Sequence, residues 1–147
     1  MNIKVTFLNG SNYWQQLVLN SAEKASDILS DPAFLLKISN ITHYDFCIET
    51  PIQIGDKIRA VGEITIEVGF YSKWFTKAIA YEECKKIWFN TRKKAYGAGG
   101  VGNIVHETLH ALGYKHNGNA TAGNEFTVPY LIGDLADGWV LTKPTHN

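Results

Sequence analysis

His106, Glu107, His110, Gly113 and His116 stand in the run His-Glu-x-x-His-x-x-Gly-x-x-His, and each type at its spacing has a chemical use. His106 and His110 are four residues apart, so on a helix their imidazoles project from one face a turn apart and can grip one metal ion. Glu107 would sit beside the metal, not on it, where a carboxylate can act as general base toward a water on an open coordination position. His116 lies six residues beyond His110. At about 100° per residue, a continuing helix would aim it away from the metal. The helix must therefore end, and Gly113 can end it, because glycine takes the left-handed conformation without a Cβ penalty. His116 is then the third ligand, and Zn2+ is the expected ion. A three-histidine zinc site with an open fourth position acidifies a water and polarises a carbonyl, while Glu107 would take the proton and return it to a leaving amine. The chemistry expected is amide hydrolysis. His-Glu-x-x-His alone is a weak signal, whereas five fixed positions over this span form a specific one.

The elements that must position these residues follow from pattern. Residues 3 to 8 are rich in β-branched and aromatic types, and the turn Asn9-Gly10-Ser11-Asn12 follows, so this is a first strand. From Tyr13 the apolar residues Trp14, Leu17, Val18, Ala25, Ile28 and Leu29 fall at helical spacing, with Ser11 or Asn12 as cap. Asp31-Pro32 predicts a second, short helix ending near Ser39-Asn40. His43 to Ile48 alternates and predicts a half-buried strand closed by Pro51. Lys57 to Val68 alternates more cleanly, with Ile58, Ala60, Gly62, Ile64, Ile66 and Val68 on one face, and predicts one long strand. Lys77 to Tyr81 and Lys86 to Asn90 are further strand candidates, and the glycine-rich stretch Tyr96 to Gly102 leads into the histidine helix. After His116 the pattern reads mostly as loop, with a last apolar patch at Val128 to Leu135.

The chain has 147 residues, 45% of them hydrophobic, enough for one core, and a single domain over 1–147 is expected. Lys plus Arg number 14 and Asp plus Glu 14, so no charge excess draws the chain to nucleic acid or an anionic membrane. No apolar run is long enough to span a bilayer. The first residues lack the apolar stretch of a signal peptide, which makes the cytoplasm the default expectation. Cys47 and Cys84 are too far apart for a Cys-x-x-Cys pair, and two free thiols are favoured over a disulfide.

The eleven-residue run is that of the metzincin zinc proteases, and the order of elements resembles theirs. The resemblance implies an α+β fold: a mixed twisted sheet with an antiparallel edge strand, a backing helix and a zinc-binding active-site helix. Ala78, Ile79, Ala80 and Tyr81 resemble the edge strand along which an extended peptide would add itself by main-chain hydrogen bonds. Ile87-Trp88-Phe89-Asn90 resembles the strand before the zinc helix in matrix metalloproteases. Phe126-Thr127-Val128-Pro129-Tyr130 looks like the turn beneath the metal, with Val128 where the family has methionine. The chain has no methionine except Met1. Tyr130 matches the tyrosine that astacin-like and serralysin-like members hold near the zinc, for metal ligation or a hydrogen bond to the oxyanion. The resemblance implies a monomeric zinc endopeptidase acting on protein or peptide.

Other motifs carry less. Gly97-x-Gly99-x-x-Gly102 formally satisfies a dinucleotide fingerprint, but no acidic ribose ligand follows at the right distance. Asp134 and Asp137-Gly138 lack the ligand series of a calcium loop and read as a turn. His43 and His146 read as surface histidines. Two other functions fit the same zinc site: a peptide-binding module that does not cut, and an amidase acting on a non-protein amide of the cell-wall kind. The intact Glu107 argues against the first.

Overall fold

A computed structural model describes residues 1–83, 86–117 and 123–139. It is an α+β structure in which one four-stranded mixed sheet packs against helices. The first strand β1 (Asn2–Phe7) runs parallel to β2 (Glu63–Tyr71), and β2 runs parallel to β4 (Lys86–Asn90). Strand β3 (Ala80–Glu83) joins β4 antiparallel and forms the sheet edge, in the order β1-β2-β4-β3. Along β2 the residues Ile66, Val68 and Phe70 are buried while Glu63, Thr65 and Glu67 are exposed, so one face of the sheet meets the helices and the other meets water.

Helix α1 (Asn12–Ser30) is capped by Ser11, whose hydroxyl accepts from the Trp14 amide. It buries Val18, Ala22, Ala25 and Leu29 against β1 and the histidine helix. Asp31 caps α2 (Pro32–Ser39) with proline in the first turn, as its sequence predicts. Among the described residues, no helix is long and apolar enough to cross a membrane.

Four expectations from pattern are corrected. The long strand from Lys57 is instead the end of helix α3 (Pro51–Ala60) followed, after Gly62, by β2. Thr50 and Gln53 form a reciprocal capping box with Pro51 between them, and Ile54 and Ile58, one turn apart, are both fully buried. Those start signals outweigh the alternation of the last few helical residues. His43 to Ile48 forms no strand: Ile48 is fully exposed, Phe46 has a φ of 54°, and Tyr44 turns inward to donate its hydroxyl to the Ile38 carbonyl. The stretch predicted as a strand from Lys77 enters the sheet only at Ala80. The apolar patch after Val128 is a full helix, α5 (Val128–Asp137), with Pro129 in its first turn.

Asn90 explains why residues 77–79 stay out of the sheet yet are held against it. Its side chain is fully buried and makes four hydrogen bonds: it accepts from the Lys73 and Arg92 amides and donates to the Lys73 and Ala78 carbonyls. Its main-chain amide donates to the Ile79 carbonyl. Replacing Asn90 by Ala orphans several of these groups and is expected to lower unfolding stability by about 2–4 kcal/mol in urea titrations. Asn90→Asp should also destabilise, because it sets an oxygen against the Lys73 and Ala78 carbonyls in place of a donor.

Candidate metal centre

The histidine run begins on helix α4 (Val101–Ala111), which is preceded by a short 3-10 helix over Thr91–Tyr96 and a glycine-rich turn. Gly97 and Gly99 in that turn have φ of 98° and 74°, so they are turn residues and no phosphate-binding role is needed to account for them. His106 and His110 project from α4 one turn apart. The helix ends in a Schellman motif: the Gly113 amide bonds to the His110 carbonyl, and the Tyr114 amide to the Leu109 carbonyl. Gly113 carries the left-handed φ of 101° that this motif demands. The chain then swings back and brings His116 to the other two histidines.

The three Nε2 atoms form a triangle with sides of 3.1, 3.2 and 3.1 Å. A tetrahedral ion with metal–nitrogen bonds of 2.0–2.1 Å holds its nitrogens about 3.3 Å apart, so the triangle is close to the size a metal needs. Proton positions sharpen the point. The Nδ1 of His110 lies 2.7 Å from the Tyr114 carbonyl, which can only accept, so that nitrogen carries the proton. His106 hydrogen-bonds the main chain of Pro129, and proline has no N–H, so the ring donates to the carbonyl. With its Nε2 facing the other histidines, His106 must donate from Nδ1. Burial, then the charges of His110 and His116, push the His106 pKa down to about 3, so the ring is neutral near pH 7. The Nε2 atoms of His106 and His110 therefore meet lone pair to lone pair at 3.2 Å. A cation among the three nitrogens turns that repulsion into coordination. His106, His110 and His116 could hold a metal ion.

Glu107 is 3% exposed, and one of its oxygens, Oε2, is buried with no hydrogen-bond partner. Burial, with like charge from Glu82, pushes its pKa up to about 8. A divalent cation beside it would offset both effects. Tyr130, on α5, packs its ring centroid 4.4 Å from those of both His106 and His116. Val128, where the family resemblance places a methionine, is buried in the first turn of α5.

These groups share one cleft of about 600 Å³. Residues 77–82 form one wall, and His106, Glu107, His110, His116 and Tyr130 line the rest. Ala78, Ile79, Ala80 and Tyr81 thus face the same space as the histidines. Sequence reasoning passed over Asn103, Lys115 and Glu82, which also line the cleft. Asn103 could have been found from its place one turn before His106 on the same helix. His43 is exposed beside Asp45, away from this cluster, and Cys47 is a free, partly buried thiol. Cys84 and His146 lie outside the described residues. Comparisons with protein-family models, curated proteins and solved structures give no match to this chain.

Metal titration by calorimetry should give one divalent ion per chain. His116→Ala is expected to weaken binding more than about 100-fold, since even partners of metal ligands contribute 10–100-fold. Chelation of the loaded protein should lower its melting temperature by the linkage of binding to folding, and re-addition should restore it.

Proposed function

We propose that the protein is a zinc-dependent endopeptidase, an atypical metzincin-like enzyme that cuts polypeptide chains. The observation that carries this reading is Glu107: a buried carboxylate with an unpartnered oxygen, adjacent in sequence to one candidate ligand and lining the same cleft as all three. A site meant only to hold a metal has no use for so costly a group. Zinc bound to three histidines would supply an acidified water and an electrophilic contact for a substrate carbonyl.

The chain's own residues divide the remaining work. Glu107 accepts the proton of the attacking water and delivers it to the leaving amine. Its burial keeps bulk water from competing for that proton. The Tyr130 phenol donates to the oxygen of the tetrahedral intermediate, and support for that role is the packing of its ring beside His106 and His116. The substrate lies extended along Ala78, Ile79, Ala80 and Tyr81. Support for that placement is that these four residues line the histidine cleft and that β3, which begins at Ala80, is the strand at the sheet edge. Val128 gives the turn beneath the site an apolar packing residue in place of methionine.

Zinc-loaded wild type should cleave a denatured protein substrate, and Glu107→Gln should do so at least about 100-fold more slowly while binding the same single zinc. Mass spectrometry of the fragments reads both. A wild type that binds zinc yet cuts no peptide that the variant spares would contradict the enzyme and favour the peptide-binding module. Fragments made only from a cell-wall-type amide would favour the amidase.

A further inference from the structure

Asp137 reads from sequence as part of a turn, and the catalytic reading leaves it without a role. In the structure it ends the face of α5 that meets the histidine helix. Its Oδ1 accepts a hydrogen bond of 2.7 Å from the Gly102 amide, in the first turn of α4. Glycine N-caps this helix without a side-chain bond, so Asp137 supplies from another helix what a serine or aspartate cap supplies locally. Its negative charge also suits the positive end of the helix.

The two helices approach unusually closely at this point. A Cβ on Gly102 would lie 2.3 Å from Asp137 Oδ2 and 2.6 Å from the Gly133 carbonyl oxygen. A Cβ on Gly133 would lie 2.8 Å from the Gly102 carbonyl oxygen and 3.3 Å from the His106 Cβ. Spacing then connects this crossing to the metal centre. Gly102, His106 and His110 recur every four residues on one face of α4. Tyr130, Gly133 and Asp137 recur at helical spacing on the facing side of α5. The same crossing sets the contacts that α5 makes with the ligands, among them the Pro129 carbonyl on His106 and the Tyr130 ring against His106 and His116.

We infer that Asp137, acting through the Gly102–Gly133 crossing, is a positioning residue that sets the orientation of His106 and Tyr130 at the metal centre without touching either. This rests on the metal-centre reading of the proposed function. Losing the bond frees α5 to shift on α4, and the Pro129 carbonyl would no longer hold the His106 tautomer in register.

The test uses the full chain as wild type, Asp137→Ala and Asp137→Asn, each loaded with Co2+ or with Zn2+. Circular dichroism first fixes a temperature at which all three are folded. Zinc affinity by competition with a chromogenic chelator and the visible absorption of the cobalt forms are then compared. Asp137→Ala should bind zinc about tenfold more weakly, in line with other partners of metal ligands. Its cobalt bands should shift or broaden. Asp137→Asn keeps an acceptor oxygen and should stay close to wild type in both readouts. A purely structural cap would lower the melting temperature and leave the cobalt spectrum and zinc affinity of the folded protein unmoved, which would overturn the inference. Equal weakening in Asp137→Asn would overturn it too. A wild type that binds neither metal removes the underlying metal-centre reading and this inference with it, an outcome plainly separate from a metal-binding wild type matched by Asp137→Ala.

Discussion

Two imidazole lone pairs face each other at 3.2 Å, because the Tyr114 and Pro129 carbonyls hold the protons of His110 and His106 on their far nitrogens. A metal ion among the three histidines would turn that contact into coordination. Much of the surrounding structure serves that constraint. The Schellman end of α4 returns His116 to the pair, and its returning chain supplies the Tyr114 carbonyl that orients His110. The first turn of α5 supplies the Pro129 carbonyl. Ligands and orienting groups thus come from one continuous helix–turn and one crossing helix, with no contribution needed from the sheet.

The sheet supplies the other wall of the cleft. Strand β4 hydrogen-bonds to β3 on one side and ends in Asn90, whose buried amide fixes residues 73–78 just before the edge strand. The edge strand on one side and the histidine helix on the other bound a cleft of about 600 Å³ that the buried Glu107 also lines. The burial that makes Glu107 costly raises its affinity for a proton, and a cation beside it would favour the ionised form that can accept one, because low local polarity magnifies both repulsion and attraction.

Residues whose role is set by local chemistry are legible in the sequence. The four-residue histidine spacing, the glycine that stops the helix and the Ser11 and Asp31 caps all act within a turn of where they stand. Misreadings arose where two local patterns competed. Ile58, Ala60, Gly62 and Ile64 alternate like a strand, yet Thr50, Pro51 and Gln53 had already committed the segment to a helix. Val128 to Leu135 reads only as an apolar patch after a loop, although Pro129 stands where a helix begins. The role of Asp137 was out of reach because its partner, the Gly102 amide, is 35 residues away and only the α4–α5 crossing brings them together. Asn90 was read as the end of a strand, and its hold on Lys73 and Ala78 likewise needed the fold.

The central claim is that the three histidines are metal ligands through Nε2. Its most direct test is crystallographic anomalous scattering at the zinc edge from protein purified without added chelator. The account predicts one peak, about 2.0–2.1 Å from the Nε2 atoms of His106, His110 and His116. An absent peak after zinc loading, or a peak bound elsewhere while these three nitrogens face one another, would contradict it.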